Sequence, residues 1–376
     1  MAQNNSYALV LSGGGARGAF QAGAVRAIYE CCKETNNFSP FRNIIGVSAG
    51  AINASYLAAH ADNLDSATQQ MCQMWKELST AEVFKTDYIT VGRTALRLMR
   101  GLSMGGISGS FRPKRMGLLN VEPLRDLLSQ RVPFEKIPEM VKKGHLNSLC
   151  VTATDYSTAI GVTFFTANDS VQPWTRVQRL GVRADININH IMASAAIPIF
   201  FPPWPVDDRH FGDGCLRNTA PLSPARHVGA SNFLVVGVRK WKDSDLTSES
   251  IIKPSLGRVL GVVINAIFMD AIEVEIERVN VINHALKSHP ESTFRQLNIH
   301  YIHPSQPLSD LAESRVEGLP PVLKFLINGL GSPKESAEIL SYLTFDPTYL
   351  SSLVDLGYQD ALNNKENLIQ FLKLKG

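Results

Sequence analysis

Apolar residues along the chain first gather in two short runs, Tyr7–Ser12 (YALVLS) and Asn43–Val47, each too short for a helix and each running into small residues. Both read as buried strands. A helix is predicted between them from near Ala19 to about Cys32, and another opens in the small residues that follow Ser48. Strand, glycine loop, helix, strand, serine turn and helix make a βαβα order, which implies a parallel sheet. Further strands are predicted at Ser148–Thr154 and Ile160–Thr166, joined by an ordinary turn at Asp155–Thr158, and again at Phe233–Val238 and Gln296–His303. A short helical piece, Ile191–Ala196, stops at Pro198, and the aromatic, proline-rich Phe200–Pro205 reads as a wall. Pro254–Leu286 predicts one or two helices, with Glu273 and Glu277 on a solvated face. From Ser309 onward, short helical patterns broken at Leu319-Pro320, Gly331-Ser332-Pro333 and Asp346-Pro347 predict a helical C-terminal layer.

Composition narrows the picture by exclusion. The 376 residues can bury a large core, and a formal charge of +3 is too small to imply nucleic acid. Five scattered cysteines without a CxxC pair suit reduced thiols in a cytosol-like compartment and argue against a disulfide framework or a zinc site. Met1–Ser6 is polar and Tyr7–Leu11 leads directly into glycines, so no secretory signal is expected. The longest helical apolar run, Val259–Met269, is bounded by Arg258 and Asp270 and is too short to span a bilayer. A membrane would therefore be met from outside.

Candidate chemistry sits at three places. Gly46-Val47-Ser48-Ala49-Gly50 has the form of a nucleophile elbow, with Ser48 thrust out of a tight strand-to-helix turn and Gly46 and Gly50 flanking it where a Cβ would collide. A plain tight turn is the competing reading. The loop Gly13-Gly14-Gly15-Ala16-Arg17-Gly18 satisfies G-x-G-x-x-G, but the second strand ends in Val47 and Ser48 rather than in the acid a dinucleotide ribose requires, and no Gly-Lys-Ser/Thr follows. Converging glycine amides forming an oxyanion hole fit better, with Arg17 fixing the loop or adding positive potential, while a simple glycine turn stays open. Asp213-Gly214, the chain's one Asp-Gly pair, is either a hairpin turn or a carboxylate brought to Ser48 as its base. His227 follows in an order that also allows a Ser-His-Asp triad. Between Asp87 and Glu122 lie Arg93, Arg97, Arg100, Arg112, Lys114 and Arg115 without an acid, either a cap that docks on anionic lipid or a solvated face.

Taken together, Gly13–Gly18 (GGGARG), Gly46–Gly50 (GVSAG) and Asp213-Gly214, with Ala193–Pro198 and Asn218–Pro224 between and after them, resemble the patatin-like phospholipases, especially bacterial members, over roughly Tyr7–Val238. The resemblance implies an α/β, three-layer fold with a mostly parallel central sheet. Residues 1–305 would be the catalytic domain, with a basic insertion at about 88–120, and 306–376 a helical extension packed on it. It implies a lipid acyl hydrolase of phospholipase A or lysophospholipase type, with Ser48 as nucleophile, Asp213 as its dyad partner, Gly214 supporting the turn and the Gly13–Gly18 amides as oxyanion hole. No metal or organic cofactor is called for. The expected partners are a phospholipid or lysophospholipid and a peripheral membrane surface met transiently from the cytoplasm, with a homo-oligomer allowed. Cys215 departs from the family, which usually has a second glycine there. Acyl transfer to another alcohol, and a non-catalytic nucleotide- or lipid-binding role for the glycine loop, are the alternatives.

Overall fold

The computed structural model describes residues 6–35, 41–85, 117–241, 255–268, 270–289, 294–313 and 332–373, together with 253, 291, 292, 315, 319, 321, 324 and 329. The basic segment carrying Arg93, Arg97, Arg100, Arg112, Lys114 and Arg115 lies outside these described residues.

The strands are β1 (Ser6–Leu11), β2 (Asn43–Val47), β3 (Ser148–Asp155), β4 (Ile160–Ala167), β5 (Trp174–Arg176), β6 (Arg179–Arg183), β7 (Trp204–Val206), β8 (Arg209–Asp213), β9 (Ala230–Val236) and β10 (Asn298–Ile302). They form one mixed sheet in the order β10-β9-β1-β2-β3-β4-β6-β5, with β8 on β3 and β7 on β8. Pairing is parallel from β10 through β9, β1 and β2 to β3, and turns antiparallel at β3 with β4. The predicted parallel core is present, and the first helix, α1 (Gly18–Glu34), starts one residue before its predicted position.

Alternation along the strands builds two cores. On β1, Leu9 and Leu11 face one core while Ala8 and Val10 face the other, the period-2 pattern of a sheet buried on both faces. The larger core holds α1, α2 (Ala49–Ala59), α3 (Leu64–Glu77) and the C-terminal helices Pro333–Leu343, Pro347–Asn363 and Lys365–Leu372. The smaller one is closed by Ile272 and Ile276 of the Asp270–Lys287 helix and by Leu222 and Ala225 beside it. Helices thus cover both faces of the sheet, giving three layers.

Glu273 does not sit on a solvated face as its spacing with Glu277 predicts. Its side chain is 22% exposed and pairs with Arg239 at 4.0 Å, because the helix turns this position toward the end of β9. Glu277 is exposed as expected.

The C-terminal helices are not loosely attached. A Cβ on Gly23 of α1 would lie 1.8 Å from the Val354 carbonyl oxygen, and one on Gly357 would lie 2.0 Å from that of Phe20. The two helices therefore touch backbone to backbone, which only glycine permits. Asp346 starts the second of them by accepting hydrogen bonds from the Thr348 and Tyr349 amides.

Candidate active site

Sheet register alone brings Ser48 and Asp213 together. β2 runs beside β3 as far as Val47 opposite Thr152, and there the chain leaves the sheet at Ser48. β8 takes over the vacated edge of β3, with Asp213 opposite Ala153. The residue that leaves and the residue that arrives thus meet at the same level of β3. Ser48 Oγ donates to Asp213 Oδ2 at 2.6 Å, and both side chains are buried.

The turn at Ser48 has the elbow's strain. Ser48 has φ 54° and ψ −126°, a conformation that costs a non-glycine residue about 1–3 kcal/mol unless its surroundings hold it. A Cβ on Gly46 would lie 2.4 Å from the Gly50 carbonyl oxygen, and one on Gly50 would lie 2.3 Å from that of Leu11, so both flanking glycines are required. The Ser48 amide donates to Ser194 Oγ at 2.9 Å, and that hydroxyl donates onward to the Thr152 carbonyl at 2.7 Å. α2 begins at the next residue and points its N-terminus at the serine.

Asp213 is fixed by its neighbours. Its amide donates to the Ala196 carbonyl at 2.9 Å, its carbonyl accepts from Thr154 Oγ1 at 2.8 Å, and Oδ1 accepts from the Cys215 amide at 2.9 Å. Gly214 is packed against the Thr152 carbonyl, 2.1 Å from where its Cβ would stand. Burial raises the Asp213 carboxyl to about 6, against the opposing hydrogen bonds from Ser48 and Cys215. The Cys215 thiol, buried and beside this carboxylate, is pushed well above its ordinary value.

The glycine loop lies against the serine. A Cβ on Gly13 would lie 3.1 Å from Ser48 Cβ and 2.4 Å from Cys215 Sγ, so Cys215 fills space that Gly13 leaves. Among the described residues, no backbone hydrogen bond engages the Gly14 or Gly15 amides. Gly15 adopts φ 56°, and Ala16 and Gly18 continue into α1. Of the two roles open to Arg17, the contacts match the fixing of the loop. Its guanidinium is buried, pairs with Glu338 at 2.6 Å, bonds Ser341 and stacks on the Tyr342 ring.

Several positioning residues carry no local signal in the sequence. Asn53 on α2 donates to the Gly18 carbonyl at 3.0 Å and accepts from Trp75 Nε1 at 2.7 Å, while Gln21 donates to the Ser12 carbonyl at 2.7 Å. These buried amides clamp the glycine loop at both ends. Ser194 sits inside a recognisable segment, but only the fold shows its hydroxyl under Ser48.

A narrow apolar cavity of about 30 Å³ opens at Ser48, walled by Ile52, Met74, Trp75, Leu78, Val83, Leu124, Leu128, Ile197, Phe201 and Phe345. Phe201 supplies the wall expected of the proline-rich segment. His227 does not join the pair: its ring stacks on Trp174 at 4.5 Å in the smaller core, where burial and nearby arginines lower it to about 4. Asp155 is a turn residue, accepting from the Ser157 amide, Thr158 and Arg209. Among the described residues, no cluster of His, Cys, Asp and Glu is placed to hold a metal ion, and no helix is long and apolar enough to cross a membrane.

A three-layer α/β fold with a strained serine on a strand-to-helix turn, hydrogen-bonded directly to a buried carboxylate, has the architecture of a serine hydrolase. The family model for patatin-like phospholipases matches residues 9–226, more than half of the chain, and the chain belongs to that family of lipid hydrolases. Among solved structures it is similar to VipD from Legionella pneumophila, at 16% identity and a TM-score of 0.35 over 96% of this chain and 67% of that one. It is also similar to human GIVD cytosolic phospholipase A2 in complex with methyl gamma-linolenyl fluorophosphonate, at 11% identity and a TM-score of 0.46, where it spans 59% of that chain's length and 99% of its own. No curated protein sequence matches the chain.

Proposed function

We propose that this chain releases fatty acids from phospholipids or lysophospholipids, with Ser48 as nucleophile and Asp213 as its base. The observation that carries the reading is the 2.6 Å contact between Ser48 Oγ and Asp213 Oδ2 at the mouth of an apolar cavity. Asp213 accepts the Ser48 proton as Oγ attacks the ester carbonyl, and the oxyanion is met by the Gly14 and Gly15 amides. Asp213 then protonates the departing alcohol, leaving an acyl-Ser48 ester. Water, deprotonated by the same carboxylate, attacks that ester, and as the acyl–Oγ bond breaks Asp213 returns the proton to Ser48 Oγ, freeing the fatty acid and restoring the pair.

A carboxylate at its ordinary value of 3.8 is a poor base near neutrality, and burial brings Asp213 closer to the working range. The cavity accepts an acyl chain by its chemistry, since its walls near Ser48 are apolar. The narrow free space means that the chain enters by moving side chains such as Leu124 and Phe201 aside.

The test is fatty-acid release from mixed phospholipid and lysophospholipid vesicles by the wild type, Ser48→Ala and Asp213→Asn, each checked for folding. Loss of nearly all release in both folded variants supports the dyad. An active Asp213→Asn moves the base elsewhere, and a wild type inert on every ester sinks the hydrolase reading for this chain.

A further inference from the structure

The Leu256–Phe268 helix is apolar nearly all round, yet one half of it faces solvent. Gly257, Leu260, Gly261, Ile264 and Ile267 lie on the covered side, where Gly261 packs on Glu338 of the Pro333–Leu343 helix. On the opposite side, Leu256, Val259, Val262 and Val263 are 58%, 45%, 59% and 46% exposed. A helix that is hydrophobic on every side is expected to be buried. This one leaves an apolar stripe in water.

Charge and position identify what would cover the stripe. Arg258 is exposed within it, exposed Lys253 precedes it, and the helix contains no acidic residue. The covered side reaches the active site: Ile264 shares a small void with Ile197, Phe200 and Tyr342, and Ile197 also walls the cavity at Ser48. The stripe is about 10 Å long and about 10 Å wide, roughly 100 Å², against the roughly 800 Å² per partner of a stable protein interface.

We infer that the Val259–Val263 stripe is the face on which this chain rests on an anionic lipid surface, its valines and Leu256 entering the headgroup boundary and Arg258 and Lys253 meeting lipid phosphates. The inference rests on the proposed lipid substrate. It sets the cavity mouth against the membrane, so that a lipid passes from bilayer to Ser48 along the Ile264 and Ile197 side.

The experiment uses the full chain carrying Ser48→Ala, so that vesicles are not consumed, and measures co-sedimentation with phosphatidylcholine vesicles with and without phosphatidylglycerol. Val259→Asp/Val262→Asp/Val263→Asp should weaken binding to both by about tenfold or more. Arg258→Glu, the gentler variant, should abolish only the preference for the anionic vesicles. With Ser48 restored, both variants should hydrolyse a soluble short-chain ester at the wild-type rate. Unchanged vesicle binding by the folded triple variant overturns the inference, as does a switch from dimer to monomer by light scattering, which would give the stripe to a second copy of the chain. A wild type that hydrolyses nothing but still binds vesicles through this helix would sink the proposed reaction and leave the docking face standing.

Discussion

Arg17 Nη2 lies 2.6 Å from Glu338 Oε2, tying the glycine loop beside Ser48 to a helix 321 residues further along the chain. The C-terminal helices thereby become part of the site's scaffold. Burial pushes the Glu338 carboxyl up, but Arg17's charge and hydrogen bond outweigh it and hold the group below its ordinary 4.5. Arg17 is buried and Glu338 half-buried, so removing the arginine leaves a carboxylate that water reaches only in part. Arg17→Met should cost about 1–2 kcal/mol in urea unfolding at pH 7, and Arg17→Met/Glu338→Leu should recover part of it. Because Glu338 titrates low when folded, the pair's contribution is present above pH 4.5 and is lost as pH falls through the folded value. A wild type and Arg17→Met equally separated at pH 7 and at pH 3 would contradict the assignment.

The Asp213 carboxyl, raised to about 6, fixes both an activity limb and a stability slope. Only the ionised form can take the Ser48 proton, so kcat/KM on a soluble ester should fall tenfold per pH unit below about 6, rather than below the ordinary 3.8. Stability runs the other way. A group with a raised folded value favours folding fully below 3.8 and progressively loses that contribution as pH rises through 6. Asp213→Asn should therefore be inactive yet gain roughly 2–3 kcal/mol on the wild type between pH 4 and pH 8, read by denaturant titration at each pH.

How far the sequence led depends on whether a signal was local. Gly46, Ser48 and Gly50 announce an elbow because the strain and the close backbone approach belong to five consecutive residues, and the βαβα opening is equally local. Asp213-Gly214 was ambiguous for a definite reason: its role comes from β8 replacing β2 along β3, which no nearby residue encodes. Ser194, Asn53, Gln21 and Trp75 act through hydrogen bonds spanning tens to hundreds of residues, and Arg17 found its partner in a helix whose pattern said nothing of Glu338. Glu273 misled because period alone cannot tell a face toward solvent from a face toward the neighbouring strand.

Cys215 sits against Asp213, the proposed base. Its amide donates to Asp213 Oδ1 at 2.9 Å, and its sulfur occupies the space beside Gly13. Cys215→Ala keeps that amide donor but removes the sulfur that helps bury the carboxyl, so the acid limb of kcat/KM should move to lower pH, while Cys215→Ser, close to it in size, should leave the limb nearly where it stands. The thiol, itself pushed well up, should resist iodoacetamide in the folded enzyme at pH 8. Rapid alkylation with loss of activity would refute this placement.

The glycine contact between α1 and the Pro347–Asn363 helix predicts one cooperative unit. Gly357→Val would drive its side chain into the Phe20 carbonyl, and Gly23→Val into that of Val354. Each should cost about 3 kcal/mol or more, since backbone cannot yield as a flexible side chain does. Activity and far-UV circular dichroism should be lost in a single transition, because α1, which carries the glycine contact, follows directly on the glycine loop beside Ser48. A variant that keeps ester hydrolysis while the C-terminal helices melt separately would make them a detachable extension.

Ser194 offers the sharpest separation of positioning from stability. Its hydroxyl bridges the Ser48 amide and the Thr152 carbonyl, fixing a residue whose φ of 54° is otherwise unfavourable. Thr166 makes the same kind of bridge far from the dyad, accepting from the Ile186 amide at 3.1 Å and donating to the Ala184 carbonyl at 2.7 Å. Ser194→Ala and Thr166→Val should each lose about 1–3 kcal/mol, the cost of stranding buried backbone groups. Only Ser194→Ala should lower kcat, by about ten- to a hundredfold with KM for a short ester nearly unchanged, since a shift of the nucleophile of a fraction of an ångström degrades attack geometry without touching the apolar walls. If the two variants lose stability alike and kcat stays level in both, the hydroxyl merely satisfies the backbone, and the elbow's strain is held by Gly46, Gly50 and the packing of α2.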